Sequence, residues 1–261
     1  MATLEENINQ LDSDIQAIKE KIVEKGIEIA EGTKTEEYAA KVSQVYNKGR
    51  QDEYDEFWDN VTNYGNREGY RLGFAGWSNE YFRPNRKIIP KGSTSGNSTF
   101  NACPNLKKIE AEYFDFSQKP TGTTSQTGWY YTFYKCPELE EIEDIGLTPQ
   151  YGYYATFSSS NKLHTIAAIR TDENTRWSTA FDWSRNIVNL NIIGTIGQNG
   201  FNIQHSTKLS KASITSIINA LSPTTSGLTV TLSKTAVNNA FTTDEWDALI
   251  ATKTNWTISL V

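Results

Sequence analysis

Residues 132–142 read TFYKCPELEEI and residues 156–166 read TFSSSNKLHTI. The two align without a gap, and two more segments join them: TFNACPNLKKI at 99–109 and AFDWSRNIVNL at 180–190. Phe100, Phe133, Phe157 and Phe181 share the first position, and Cys103, Cys136, Ser160 and Ser184 share the second. Leu106, Leu139, Leu163 and Ile187 share the third, and Ile109, Ile142, Ile166 and Leu190 the fourth. A fifth, degraded copy puts Ile203, Ser206, Leu209 and Ala212 in the same positions. The steps between the first positions are 33, 24, 24 and 22 residues. A unit this short cannot bury its apolar face alone, so neighbours must stack, and the pattern predicts a solenoid. The expected strand lies around Leu106–Ile109 and its equivalents, paired from unit to unit as a parallel sheet. The long first step contains QKPTGTTSQTG at 118–128, whose Pro, Gly and Thr suit an exposed loop.

The same register reads the other side chains. Cys103 and Cys136 share a position with serines, so the site wants a small buried side chain and both thiols are expected to be free. Trp129, Tyr153 and Trp177 stand four residues before three of the anchors, 24 apart, and would lie one above another. Tyr130, Tyr131, Tyr151 and Tyr154 crowd the same edge. Two readings stand side by side. Large aromatics can fill the wide side of the solenoid, or some of them are exposed and stack on sugar rings or a protein partner. On the second reading Trp129, Tyr130, Tyr131, Tyr153, Tyr154 and Trp177 are the candidate ligand-binding residues. The acidic run Glu138, Glu140, Glu141, Glu143 and Asp144 reads as a solvated strand face. A glycosidase pair would need a cleft and one raised pKa, and the sequence indicates neither. His164 and His205 fall in different units and read as surface or edge residues. We expect no catalytic residue, no metal ligand and no cofactor.

A solenoid must cover its last turn. Residues 213–261 suit that role, with a short helix SITSIINAL stopped by Pro223, a strand LTVTLS, a helix pattern over 234–252 and a final strand NWTISLV. At the other end, Leu4, Ile8, Leu11, Ile15, Ile18 and Ile22 recur at spacings of 4 and 3. That period of 3.5 is the seam of a coiled coil, so these six are the expected oligomerisation residues, in a homotrimer or a dimer. Gly26 caps this helix, and Thr33 with Glu36 makes a capping box for a second one carrying Tyr38, Val42, Val45 and Tyr46. Beyond it, Trp58, Tyr64, Tyr70, Phe74, Trp77, Tyr81 and Phe82 could form a small satellite core. The expected organisation is a coiled-coil helix over 1–25, a linker and second helix over 26–60, and an aromatic junction over 61–92. The solenoid then spans 93–212 and the cap 213–261.

Composition narrows the function. The 261 residues carry 25 Lys and Arg against 31 Asp and Glu, a formal charge of −6. Residues 1–60 alone are at −8, with 15 acids and 7 bases, so the body is nearly neutral. Nucleic acid is an unlikely partner for such a chain, because backbone affinity needs a basic surface. No apolar run approaches the roughly 20 residues of a membrane span, and MATLEENINQ lacks the basic and apolar regions of an export signal. Two cysteines and two histidines do not make a zinc cluster or a disulfide scaffold.

Three stretches also resemble known families. KGIEIAEGTKTEEYAAKV, KGRQDEYDEFWDN, NYGNREGY, FAGW and Phe82-Arg83-Pro84 resemble the N-terminal part of tail-fibre and other minor virion proteins of phages that infect Gram-positive gut bacteria. The pattern F-x-x-C-x-x-L-x-x-I is similar to the BspA-like class of leucine-rich repeats, over about residues 93–212. INAL, LTVTLS and DEWDALIATKTNWTISL resemble the end of many phage and gut-bacterial leucine-rich-repeat proteins. The resemblances imply an α+β repeat fold and a non-enzymatic phage virion protein. Its implied role is recognition of a host-surface glycan or protein from the tail, in contact with other tail or baseplate proteins. An architectural tail, baseplate or capsid-fibre component is the alternative, and a bacterial surface adhesin a further one.

Overall fold

The computed structural model describes residues 4–24, 27–28, 74–84, 87–89, 98–117, 129–148 and 151–261. The chain divides into two compact units, Met1–Asn60 and Val61–Val261. In the first, helix α1 spans Leu4–Glu24 and carries exposed side-chain pairs, Gln16 with Glu20 and Lys21 with Glu24. Along its apolar stripe Ile15 is half-buried, Ile18 is exposed and Ile22 is buried. The side chains of Leu4, Ile8 and Leu11, the expected second helix and the 118–128 insertion lie outside the described residues, as do Trp58, Tyr64 and Tyr70.

In the second unit, β1 (Lys108–Ile109), β2 (Glu141–Ile142), β3 (Thr165–Thr171) and β4 (Asn189–Gly194) lie side by side in that order. All pairs are parallel, with Ile109 opposite Ile142, Ile142 opposite Ile166 and Ile166 opposite Leu190. The register is the one the fourth shared position predicts, because only it keeps every aliphatic side chain on the buried face. With few helices, the described residues form a mixed α/β structure built on parallel sheets.

The opposite side is held by a second backbone ladder. Phe100, Phe133 and Phe157 N–H groups donate to the carbonyls of Thr132, Thr156 and Ala180 at 2.8, 2.8 and 2.9 Å. The phenyl rings therefore stack: centroids are 5.8 Å apart from Phe100 to Phe133, 5.9 Å on to Phe157 and 5.4 Å on to Phe181, all within 12° of parallel. Each ring sits at the tip of a tight bend. Ser98 and Ala102 flank Phe100 with φ of 57° and 56°, and Thr179 and Trp183 flank Phe181 with 53° and 62°. The left-handed backbone costs an L-residue about 1–2 kcal/mol. With two such residues at each bend, burying the phenyl side chain, worth about 1.5–3 kcal/mol, offsets much of that cost.

The second shared position asks for more than small size. Cys103 donates to the Phe74 carbonyl at 3.4 Å, Cys136 to Phe100 at 2.9 Å and Ser160 to Phe133 at 2.7 Å; Ser184 does the same to Phe157. Each carbonyl belongs to the ring residue one layer earlier, so the position needs a donor. Both cysteines are free and buried. The neighbouring Cys103 thiol, and then burial, push the Cys136 thiol far above its ordinary range.

One expectation is corrected. Phe74, Trp77, Tyr81 and Phe82 do not form a satellite core but add a layer to the same stack. Phe74 N–H donates to Thr99 and Gly76 N–H to Asn101, as later layers do. Phe82 is buried against Phe100 at 5.5 Å and Phe114 at 5.6 Å, and Ile88 bridges Phe114 in parallel. Gly76, with φ of 76°, takes the left-handed position that Ala102 takes in the next layer.

The far end is closed by α2 (Lys211–Ala220), which follows β4, and by a two-stranded parallel sheet of β5 (Leu228–Leu232) and β6 (Trp256–Leu260). The helix pattern over 234–252 splits into α3 (Lys234–Ala240) and α4 (Thr243–Ile250). Thr242 breaks it: as N-cap of α4 it holds an extended backbone and forms a complete capping box with Glu245. No helix among the described residues is long and apolar enough to cross a membrane.

Candidate binding face

The column Trp129, Tyr153 and Trp177 is interior. All three side chains are fully buried, which corrects the expectation that they offer a stacking surface to a ligand. Trp129 stacks on Phe116 at 4.9 Å and 3°, Tyr153 on Trp177 at 5.0 Å, and Trp177 meets Phe201 edge-on at 4.8 Å. Phe201 continues the spacing of 24 and ends the column. Among the described residues the indole N–H groups of Trp129 and Trp177 have no hydrogen-bond partner, so these positions are filled for area rather than for polar contact. Tyr153 differs: its hydroxyl proton is shared between the Arg170 carbonyl at 2.8 Å and the Leu147 carbonyl at 3.0 Å. Burial raises its pKa well above that of an ordinary phenol.

The residues next to this column do reach solvent. The reason is local: the chain bends tightly here, and left-handed backbone at Tyr131 and Lys135, φ 54° and 55°, turns those side chains outward. Tyr130, Tyr131, Tyr134 and Tyr154 are each half-buried and touch one another. Tyr130 lies 4.2 Å from Tyr131 and stacks on Tyr154 at 4.7 Å, and Tyr131 lies 4.6 Å from Tyr134. A hydrogen bond with Tyr130, and then burial, raise the Tyr131 phenol. Cations border the patch: Lys135 Nζ sits 5.1 Å from the Tyr134 ring, and the Arg176 guanidinium 4.8 Å from Tyr151. A 190 Å³ cavity opens between Tyr151, Gly152, Tyr153, Tyr154, Arg176 and Ser178. Gly152 permits that close approach, since a Cβ there would stand 2.3 Å from the Arg176 carbonyl oxygen.

Of the six candidates from sequence, the structure thus brings Tyr130, Tyr131 and Tyr154 together at the surface and takes Trp129, Tyr153 and Trp177 inside. Sequence reasoning missed Tyr134, Lys135, Arg176 and Trp183. Lys135 and Trp183 could have been found, because each stands two residues after an anchor phenylalanine, at a position occupied elsewhere by the short Ala102 and Ser159.

Four of the five acids in the run pair with bases of neighbouring layers. Glu138 pairs with Lys162, Glu141 and Glu143 with Lys108, and Asp144 with Arg170. The bond from Lys108 holds the Glu143 carboxyl below its ordinary range, and the bond from Arg170 does so for Asp144. His164 is exposed and bonded to Thr165, and His205 lies flat against Trp183. Among the described residues no three His, Cys, Asp or Glu side chains gather as a metal site. Comparison with family models, with curated proteins and with solved structures gives no match to this chain.

Proposed function

We propose that this chain is a non-enzymatic virion protein of a phage, carried on the tail or baseplate, that recognises the host cell surface. The repeat body is read as a leucine-rich-repeat solenoid, which the parallel register and the stacked Phe column support. Helix α1 is read as the self-association element that groups copies as a homotrimer or dimer; the exposed Ile18 on its stripe supports this. Grouping turns weak single contacts into avidity. The observation that carries the reading is the surface cluster Tyr130, Tyr131, Tyr134 and Tyr154 beside Lys135 and Arg176. Tyrosine provides large amphipathic contact area at little conformational cost, and such clusters with cations dominate binding energy at interfaces.

The test is binding of the fluorescently labelled full chain to a panel of Gram-positive gut bacteria. A triple variant, Tyr130→Ser with Tyr131→Asn and Tyr154→Ser, is compared after its thermal transition is shown to be intact. Strain-selective binding should fall about tenfold or more in the variant, the effect of losing about 1.4 kcal/mol of contact. Unchanged binding would remove the tyrosine face from the reading. Absence of wild-type binding to every strain would favour the architectural role.

A further inference from the structure

Trp183 occupies a left-handed position, φ 62°, and is 52 % exposed. Its neighbours in the same column are Lys135 and Ser159, also left-handed at 55° and 62°, so the three side chains leave the ladder in one direction. Backbone bonds order them: Lys135 N–H donates to Ser158 and Ser159 N–H to Asp182, one layer at a time. On one face of Trp183 lies the His205 ring, 4.9 Å away and within 10° of parallel. On the side of the preceding layer the column holds only Ser159. A 380 Å³ groove lies there, lined by Ser159, Asn161, Trp183, Arg185 and Asn186. Layers of a parallel sheet repeat at about 4.8 Å, so Lys135 and Trp183 stand about 10 Å apart across Ser159. That gap accepts one ring in van der Waals contact with the indole, at about 3.5–4 Å.

The polar lining fits a particular ring. Asn186 is fixed, donating to the Asn161 carbonyl at 2.6 Å and accepting from Lys208 at 2.8 Å. The exposed Arg185 guanidinium also lies over the indole, 5.1 Å from its centroid, so an entering ring packs beside it; no carboxylate among the described residues pairs with it. We propose that this groove binds one anionic sugar unit of a surface polysaccharide. The C–H face of the pyranose lies on the indole. Its hydroxyls meet Ser159 and the amides of Asn161 and Asn186, and its carboxylate or phosphate meets Arg185. A nucleobase would also stack on tryptophan, but Arg185 is the one cation lining this groove, enough for a single anionic sugar unit and not the basic surface that a nucleic-acid backbone needs. The proposal rests on the host-surface reading for the source of the sugar. The groove itself is separate from the tyrosine cluster.

The test is calorimetric titration of the full chain with four probes: oligogalacturonate, a glycosylated poly(glycerol phosphate), neutral maltohexaose and a thymidine oligonucleotide. One of the two anionic glycans should bind, and which of them does so identifies carboxylate or phosphate as the charge recognised. Trp183→Gly, which also relieves the left-handed backbone and so keeps the fold, should weaken that binding by about tenfold or more. Arg185→Gln should bring the anionic probe down to the affinity of maltohexaose. The proposal is overturned if neither anionic glycan binds, if Trp183→Gly binds equally well, or if the oligonucleotide binds more tightly than either glycan. Cell binding without glycan binding would refute the groove and leave the host-surface reading standing; glycan binding without cell binding would do the reverse.

Discussion

Ser160 Oγ accepts the Cys136 N–H at 3.2 Å and donates to the Phe133 carbonyl at 2.7 Å. Both partners are buried in the layer contact, so removing the hydroxyl strands a donor and an acceptor at once. Each stranded group costs about 1–3 kcal/mol, and Ser160→Ala should therefore destabilise by about 2–4 kcal/mol in a denaturant titration. Cys136→Ser should lie within about 1 kcal/mol of the wild type, because a hydroxyl replaces a weaker thiol donor in a position that Ser160 and Ser184 already fill. An equal loss from both substitutions would show that the position reads size alone. Cys136 should also resist alkylation in the folded state, since burial beside Cys103 keeps its thiol protonated. The small size of this position was legible from the Cys-to-Ser alternation; its donor role was not, because its acceptor is a backbone carbonyl one layer away. The same limit separated the aromatics. Trp129 and Tyr130 are adjacent in sequence, yet one is buried and the other reaches solvent, and only the ladder geometry decides which.

A sheet of parallel strands has to end, and β4 is its last strand. An unpaired edge invites association with another chain. Here α2 covers it with side chains: Ser213 Oγ accepts the Leu190 N–H at 2.8 Å and donates to the Val188 carbonyl at 2.9 Å, and Ser216 Oγ accepts the Ile192 N–H at 2.8 Å. Two serines three apart on one helix face thus replace a fifth strand. Ser213→Ala should cost about 1–3 kcal/mol, because Ser213 is buried and the Leu190 amide loses its acceptor. Ser216→Ala, at a half-buried site, should cost less than about 1 kcal/mol. Hydrogen exchange at Leu190 should accelerate in the first variant; unchanged exchange would mean that α2 protects the edge by bulk alone. The helix SITSIINAL was legible as a short helix stopped by Pro223, but the role of its two serines was not, because their partners are backbone groups of β4. The layer begun by Phe74 was harder to see. FAGWSNEYF is one residue shorter than the other copies and puts Phe82 where they carry Ile or Leu, so an alignment on aliphatic anchors passes it by.

Across the whole body, ion pairs run between layers rather than within them: Glu80 with Lys107, Arg83 with Glu110, Lys108 with Glu141 and Glu143, Glu138 with Lys162, and Asp144 with Arg170. Each is partly exposed, so solvent screening keeps its contribution to stability small. Two of the paired carboxylates share one pH dependence with Asp115. The Glu143, Asp144 and Asp115 carboxyls are all held below their ordinary values, by Lys108, Arg170 and Ser117 respectively. A carboxylate with a lowered folded-state pKa adds stability that is complete above the unfolded value, about 4, and is lost as pH falls through the folded one. The melting temperature should therefore be flat from about pH 7 to pH 5 and decline below about pH 4. Asp144→Asn should cost about 0.5–1 kcal/mol at neutral pH, allowing for solvent screening, and less at about pH 2, where the wild-type carboxyl is closer to taking up its proton. A wild type and variant that stay equally far apart at both pH values would show that Asp144 acts through its contact with the Gly146 N–H, a bond the amide keeps in part, and not through charge. Convergence at low pH would establish that Asp144 acts through its charge pairing with Arg170 of the next layer.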